Sequence, residues 1–272
     1  MSQLGSGRRR WLSSPALSAS AALHLGAAGA VLAHPQAWAW ALGAVAANHA
    51  VLTGAGLWPR STLLGPNLIR LPPASGARSE VAITIDDGPD PAVTPLVLDQ
   101  LAAAGAHATF FCVGERVERH AELAREIVHR GHCIENHSQR HRHDFSLLGP
   151  AGMRSEIVLA QESIARTVGT RPLFFRAPAG LRNPFLDPLL AALSLRLASW
   201  TRRGFDTVNR EPQTVYRRLA GNLSGGDILL LHDGHAARDS TGRAVVLAVL
   251  PRLLEAIRAA GLKPVTLRAA LS

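Results

Sequence analysis

Two neighbouring aspartates, Asp86 and Asp87, follow the apolar run VAITI in the stretch AITIDDGPDP. Like charges side by side repel, and a cation at the same place offsets that repulsion. Farther along, HSQRH sets His137 and His141 four residues apart; on a helical turn both imidazoles face one way and grip a single metal ion. Taken alone, such a pair is a weak signal, and two surface histidines are its more frequent explanation. With an acidic pair on the same rim, two histidines and one carboxylate leave an open position on zinc, the pattern of catalytic rather than structural sites. One aspartate can then serve as ligand while its neighbour accepts a proton, and a metal in that setting activates water and polarises a carbonyl. The chemistry is acyl hydrolysis. Its leaving amine needs a proton donor, and His232, closing DILLLH, is the available group.

These side chains need elements to position them. From about residue 80 the chain alternates short β-rich runs with helical periodicity. The strand candidates are VAITI, ATFFCV, HCIEN, PLFFRA, LRLASW, DILLLH and KPVTL. Between them lie helix-like segments: ERVERHAELAREIVHR, with Val117, Leu123, Ile127 and Val128 on one side, and RAVVLAVLPRLLEAIRAAG, closed by Gly261. Continuous apolar strands alternating with helices predict a parallel sheet covered on both faces. About seven such units in some 190 residues predict a closed or nearly closed α/β barrel, and no GxGxxG loop argues for an open nucleotide-binding sheet. In parallel barrels the chemistry sits at the carboxyl ends of strands. There stand Asp86 and Asp87, His137, Arg176, Asp206 and His232. Cys112 and Cys133 have no CxxC spacing and read as free thiols.

Together these motifs resemble the polysaccharide deacetylases with the NodB homology domain, carbohydrate esterase family four, over about residues 80–270. The resemblance implies a distorted (β/α)7-type parallel barrel and a divalent metal ion, zinc foremost. ITIDDGPDP is similar to the first motif, which makes Asp86 the general base and Asp87 a metal ligand. HSQRH is similar to the second and supplies His137 and His141 as the other ligands. FFRAPAG is similar to the third: Arg176 orients the base, and Pro178, Ala179 and Gly180 meet the substrate. DILLLHDG is similar to the last, with His232 as general acid and Leu230 lining the pocket for the acetyl methyl group. The looser SWTRRGFDT supplies Asp206 to tune the acid histidine, and Trp200 covers that side of the groove or packs in the core. The sequence departs from the family at Ile85, Ala179 and Thr207, where aromatic residues are usual. His143, Asp144 and Asp233 read as loop and turn residues, Asp90 as a helix-start residue, and His235 as within reach of the rim.

Between Arg10 and Arg60 there is no Asp, Glu, Lys or Arg, room for two spans of roughly 20 residues. Candidate spans run from Pro15 to Ala33 and from Ala37 to Leu57, with Trp38, Trp40 and Trp58 suited to an interfacial belt. Arg8 to Arg10 followed by an apolar run and VLA also fits a cleaved signal peptide. The expected organisation is a basic tail (1–10), one or two transmembrane helices or a signal anchor (11–59), a linker (60–79) and a deacetylase domain (80–272). The net charge of +9, its positive residues all arginine beside the single Lys263, is scattered along the chain; it suits an anionic membrane surface and gives no long basic run beyond Arg8 to Arg10 for nucleic acid. The expected protein is a hydrolase of the bacterial inner membrane that removes acetyl groups from an N-acetylated glycan or glycolipid, with the side of the membrane open. Alternatives are a deacylase or deformylase of a lipid-linked amino sugar and a non-catalytic glycan-binding barrel, although binding alone needs neither base nor acid.

Overall fold

The strand EVAITID is buried from Val81 onward, as a continuous apolar run must be when both faces of a sheet are covered. The computed structural model describes residues 11–272 and places this strand, β1 (Glu80–Asp86), at the centre of an eight-stranded sheet. On one side follow β2 (Thr109–Cys112), β3 (Cys133–Asn136), β4 (Phe174–Phe175) and β5 (Arg196–Leu197). On the other lie β7 (Ile228–His232) and β6 (Arg202–Arg203), and β8 (Lys263–Val265) pairs with the start of β1. Every strand pairing is parallel.

The seven expected strands are present, and the arc is a half-barrel, since β5 and β6 end the order without pairing to each other. Both edge strands are two residues long, too short to close a ladder. The segment before β1 occupies part of the opening. Leu68 N–H donates to Leu197 O, Ser199 N–H donates to Leu68 O, and Leu71 N–H donates to Gly226 O. The eighth strand, β6, escaped the sequence reading because its two residues are both arginines.

Strand alternation assigns the two faces. Val81, Ile83 and Ile85 of β1, with Leu229 and Leu231 of β7, point into the main core. Facing them are α1 (Thr94–Ala103), α2 (Ala121–His129), α3 (Pro212–Ala220) and α4 (Val245–Ala259), all within that core. Ala82, Phe111 and Leu230 pack on the opposite, inner face of the arc. Asp86 and His232 continue that inner alternation, so the face that starts apolar ends in chemistry. The helix expected over ERVERHAELAREIVHR is broken at His120, whose φ of −122° and ψ of 52° separate Gly114–Arg119 from α2.

Before the sheet come two long helices, Pro15–Ala33 and Trp38–Leu57, which pack against each other. The polar residues that interrupt them find partners across the pair. Asn48 Nδ2 donates to Ser20 Oγ at 2.8 Å, and His24 Nε2 lies 3.2 Å from His49 Nε2. Pro15–Ala33 is the one helix among the described residues long and apolar enough to cross a membrane. A signal sequence meets the same description, and the second helix, carrying Asn48 and His49, falls short of it. The basic tail Arg8 to Arg10 lies outside the described residues.

Candidate active site

The carboxyl ends of β1, β3, β4 and β7 surround a cavity of about 380 Å³ lined by Asp86, Asp87, His137, His141, Leu230 and His232, among others. A wider recess of about 660 Å³, between α1 and the end of α4, holds none of these groups.

Asp86 ends β1 and is 3% exposed. Its Oδ1 accepts a 2.6 Å hydrogen bond from Arg176 Nη1. Arg176 follows β4 and is itself buried; it also donates to Thr84 Oγ1 and to the carbonyls of Ala198 and Ser199, and stacks 4.0 Å from the Phe111 ring. Burial pulls the guanidinium pKa down and the Asp86 charge opposes that. These contacts hold the pair in a fixed geometry.

Asp87 turns the chain with a φ of 77° and points elsewhere. His137 Nε2 and His141 Nε2 lie 3.2 and 3.1 Å from its Oδ1, yet neither contact has hydrogen-bond geometry, and this buried oxygen is left without a hydrogen-bond partner. His235 Nδ1 meets the other oxygen, Oδ2, at 3.0 Å. Burial works against ionisation of Asp87, but the three imidazoles outweigh it and hold the carboxyl well below the usual range. His137 Nδ1 donates to Arg176 O at 2.8 Å, which fixes the ring and leaves Nε2 for a ligand role. Two imidazole nitrogens and an orphaned carboxylate oxygen converging in one place form a donor set that fits a divalent cation, and no other such set occurs among the described residues.

The HSQRH segment does this without a helix. Ser138 and His141 adopt φ values of 65° and 51°, and the loop brings the two rings to 4.9 Å between centroids. The helical geometry expected from the spacing is thus replaced by a turn, braced by His141 N–H donating to Ser138 Oγ.

Across the cavity, His232 ends β7. Fully buried Asp206 accepts from both its Nδ1 and its backbone N–H, each at 2.8 Å. Burial disfavours the imidazolium, but the charge and hydrogen bond of Asp206, with Asp86 and Asp87 farther off, prevail and raise its pKa to about 9. Ala179, Gly180 and Trp200 complete the wall. Pro178 is buried and does not line the cavity. The Ala179 N–H, at an exposed corner with a φ of 55°, has no backbone partner among the described residues.

His143 and Asp233 sit otherwise than their sequence signals suggest, whereas His235 and Asp90 sit as expected. His143 and His235 line the cavity, and HDGH was the available signal for the second. Asp233 is buried, accepting from Thr94 Oγ1 at 2.5 Å, and burial raises its pKa to about 7. Asp90 does cap the following turn, accepting from the N–H groups of Ala92 and Val93. Arg203, unflagged by any motif role, also lines the cavity.

Comparison with known proteins agrees with this geometry. A family model described as polysaccharide deacetylase matches residues 74–198. A peptidoglycan-N-acetylglucosamine deacetylase of Bacillus cereus is 35% identical over 188 residues, covering 68% of this chain and 85% of the relative. A chitooligosaccharide deacetylase of Bradyrhizobium sp. is 32% identical over 194 residues, covering 69% and 88%. The structure of a family 4 carbohydrate esterase from Streptomyces lividans in complex with acetate superposes with a TM-score of 0.62 at 31% identity, covering 68% and 91%.

Proposed function

This chain belongs to the polysaccharide deacetylase family, hydrolases of the N-acetyl amide bond, and on that premise we propose that it releases acetate from an N-acetylated amino sugar of a glycan by metal-dependent hydrolysis. One arrangement carries the reading: an Arg176-bound Asp86 and an Asp206-bound His232 flank the Asp87, His137 and His141 cluster in a single cavity.

Asp87, His137 and His141 would hold the divalent cation, zinc being the expected ion, which when bound acidifies water and draws charge from the acetamide carbonyl. Asp86 Oδ1 is engaged by Arg176, so Oδ2 is the atom that accepts the proton of the attacking water. The Ala179 N–H receives charge that develops on the carbonyl oxygen. His232 carries its transferable proton on Nε2, because Nδ1 is bound to Asp206, and passes it to the departing amine. Leu230 and Trp200 wall the space for the acetyl methyl group, with Pro178 and Gly180 shaping the adjoining turn.

The test uses the full chain in detergent, because residues 68–71 hydrogen-bond to the sheet. After chelation, acetate release from N-acetylglucosamine oligomers should cease and return with added cation. Release undiminished by complete metal removal contradicts the reading.

A specific contact favours a second substrate class, an acylated or formylated amino sugar linked to lipid. Pro59 follows the second long helix by two residues and lies where a side chain on Gly180 would strike it, at 2.7 Å, with Trp200 on the same spot at 2.6 Å. The cavity wall therefore rests on the exit of the apolar hairpin. We place residues 80–272 as the catalytic unit at the bacterial inner membrane, with Pro15–Ala33 as its anchor. Amino-terminal sequencing of the mature protein separates an anchor, which is retained, from a cleaved signal.

A further inference from the structure

Arg202 and Arg203 are neighbours in β6, and strand alternation sends them to opposite faces. Arg202 is fully employed: its Nε meets Asp227 at 2.7 Å, and its other nitrogens donate to the carbonyls of Gly221 and Asn222. Arg203 lines the catalytic cavity with Asp86, Leu230 and His232. Among the described residues it makes no ion pair and no side-chain hydrogen bond, and its buried Nε has no partner. Two rings hold it in place: its guanidinium carbon lies 5.3 Å from the Trp200 centroid and 4.9 Å from that of Phe205.

A guanidinium pinned by aromatics and left without a counter-ion is a prepared site for an anion, and its planar fork of donors matches carboxylate or phosphate oxygens. The surroundings reinforce the sign. A second cavity of about 380 Å³ shares His141, His143 and His235 with the first and is lined by Arg116, Arg119, Arg140 and Arg142, of which Arg140 pairs with Glu115 and Glu156 and Arg142 with Asp144. Arg119 there has no acidic partner among the described residues. Positive potential at the mouth draws an anionic substrate toward the reacting groups.

We propose that Arg203 determines specificity by binding an anionic group, a carboxylate or phosphate, carried by the N-acetylated sugar or by the unit attached to it. This rests on the deacetylase reading above. Arg203 is not part of the proton-transfer machinery; it selects which amino sugar enters.

The experiment compares kcat/KM of the full-length, metal-loaded protein on three substrates. These are a neutral N-acetylglucosamine tetramer, a tetrasaccharide alternating N-acetylglucosamine with lactyl-carboxylate-bearing N-acetylmuramic acid, and N-acetylglucosamine joined by phosphate to a short isoprenyl chain. At low salt, at least one anionic substrate should be favoured about tenfold or more over the neutral tetramer, chiefly through KM. Arg203→Gln should cut that preference about tenfold, again in KM, while Arg203→Lys keeps part of it. The better anionic arm tells whether carboxylate or phosphate is the natural group. Equal use of all three substrates overturns the inference. So does an Arg203→Gln protein of unchanged thermal midpoint that keeps the wild-type preference, which would leave Arg203 a brace for Trp200 and Phe205. Hydrolysis of none of the three overturns the deacetylase reading, and this inference with it.

Discussion

Asp86 of β1 and His232 of β7 are register partners in one parallel ladder, the last pair before both strands end. Backbone pairing sets the spacing of the two chains at about 4.8 Å, so their separation does not depend on a loop. Each then has its own fixed companion, Arg176 for the carboxylate and Asp206 for the imidazole. A carboxylate and an imidazole on adjacent strands, each held by an oppositely charged partner, suit the proposed reaction, which takes a proton from water and returns one to an amine.

The first prediction concerns pH. The His232 pKa is raised from 6.5 to about 9, so the protonated acid predominates through neutrality and is lost as pH rises through that value. kcat/KM should show an alkaline limb at or below pH 9, a bound cation nearby acting to lower it. Asp206→Asn should move that limb down by at least one pH unit. The same sign holds for stability: the contribution from this pair is complete below about pH 6.5 and disappears as pH climbs past 9. A pH–rate profile identical in wild type and Asp206→Asn would detach Asp206 from the acid.

Arg176 gives a prediction for stability as well as rate. Replacing it with Met strands the buried Asp86 charge and leaves two backbone carbonyls without donors, a loss of about 3–5 kcal/mol. Thermal unfolding should shift down by on the order of 10 °C. An unchanged midpoint would show that the guanidinium is not the structural counter-charge.

Gly180 tests the wall between the cavity and the hairpin exit. It has a φ of 76°, and a Cβ there would meet Trp200 and Pro59 at 2.6 and 2.7 Å. Gly180→Ala should cost about 1–3 kcal/mol and raise KM as Trp200 is displaced toward the substrate. Normal KM and midpoint in this variant would mean the contact is slack.

How much of this was legible in the sequence depended on whether neighbours along the chain stay neighbours in space. Asp86, Asp87 and His232 could be placed because they end long apolar strands, whose pattern also fixes which face they share. His137 and His141 were legible as a pair, but the turn that joins them was not, since it relies on left-handed backbone at Ser138 and His141, two non-glycine residues. Arg203 was hidden for a different reason. Its strand is two arginines long, and its environment comes from Trp200 and Phe205 through side-chain stacking that no spacing rule encodes. The part occupation of the barrel opening by Leu68 and Leu71 was equally invisible, because a proline-rich linker gives no strand signal.

The central claim is a division of labour between adjacent aspartates, and one paired measurement on Asp86→Asn addresses it directly. Metal content and acetate release are determined on the same purified full-length sample. The account predicts stoichiometric cation with hydrolysis reduced by about 10²–10⁴, the range for removing a general base. Loss of the cation along with activity would make Asp86 a ligand, and normal hydrolysis with the cation bound would remove it from the reaction altogether.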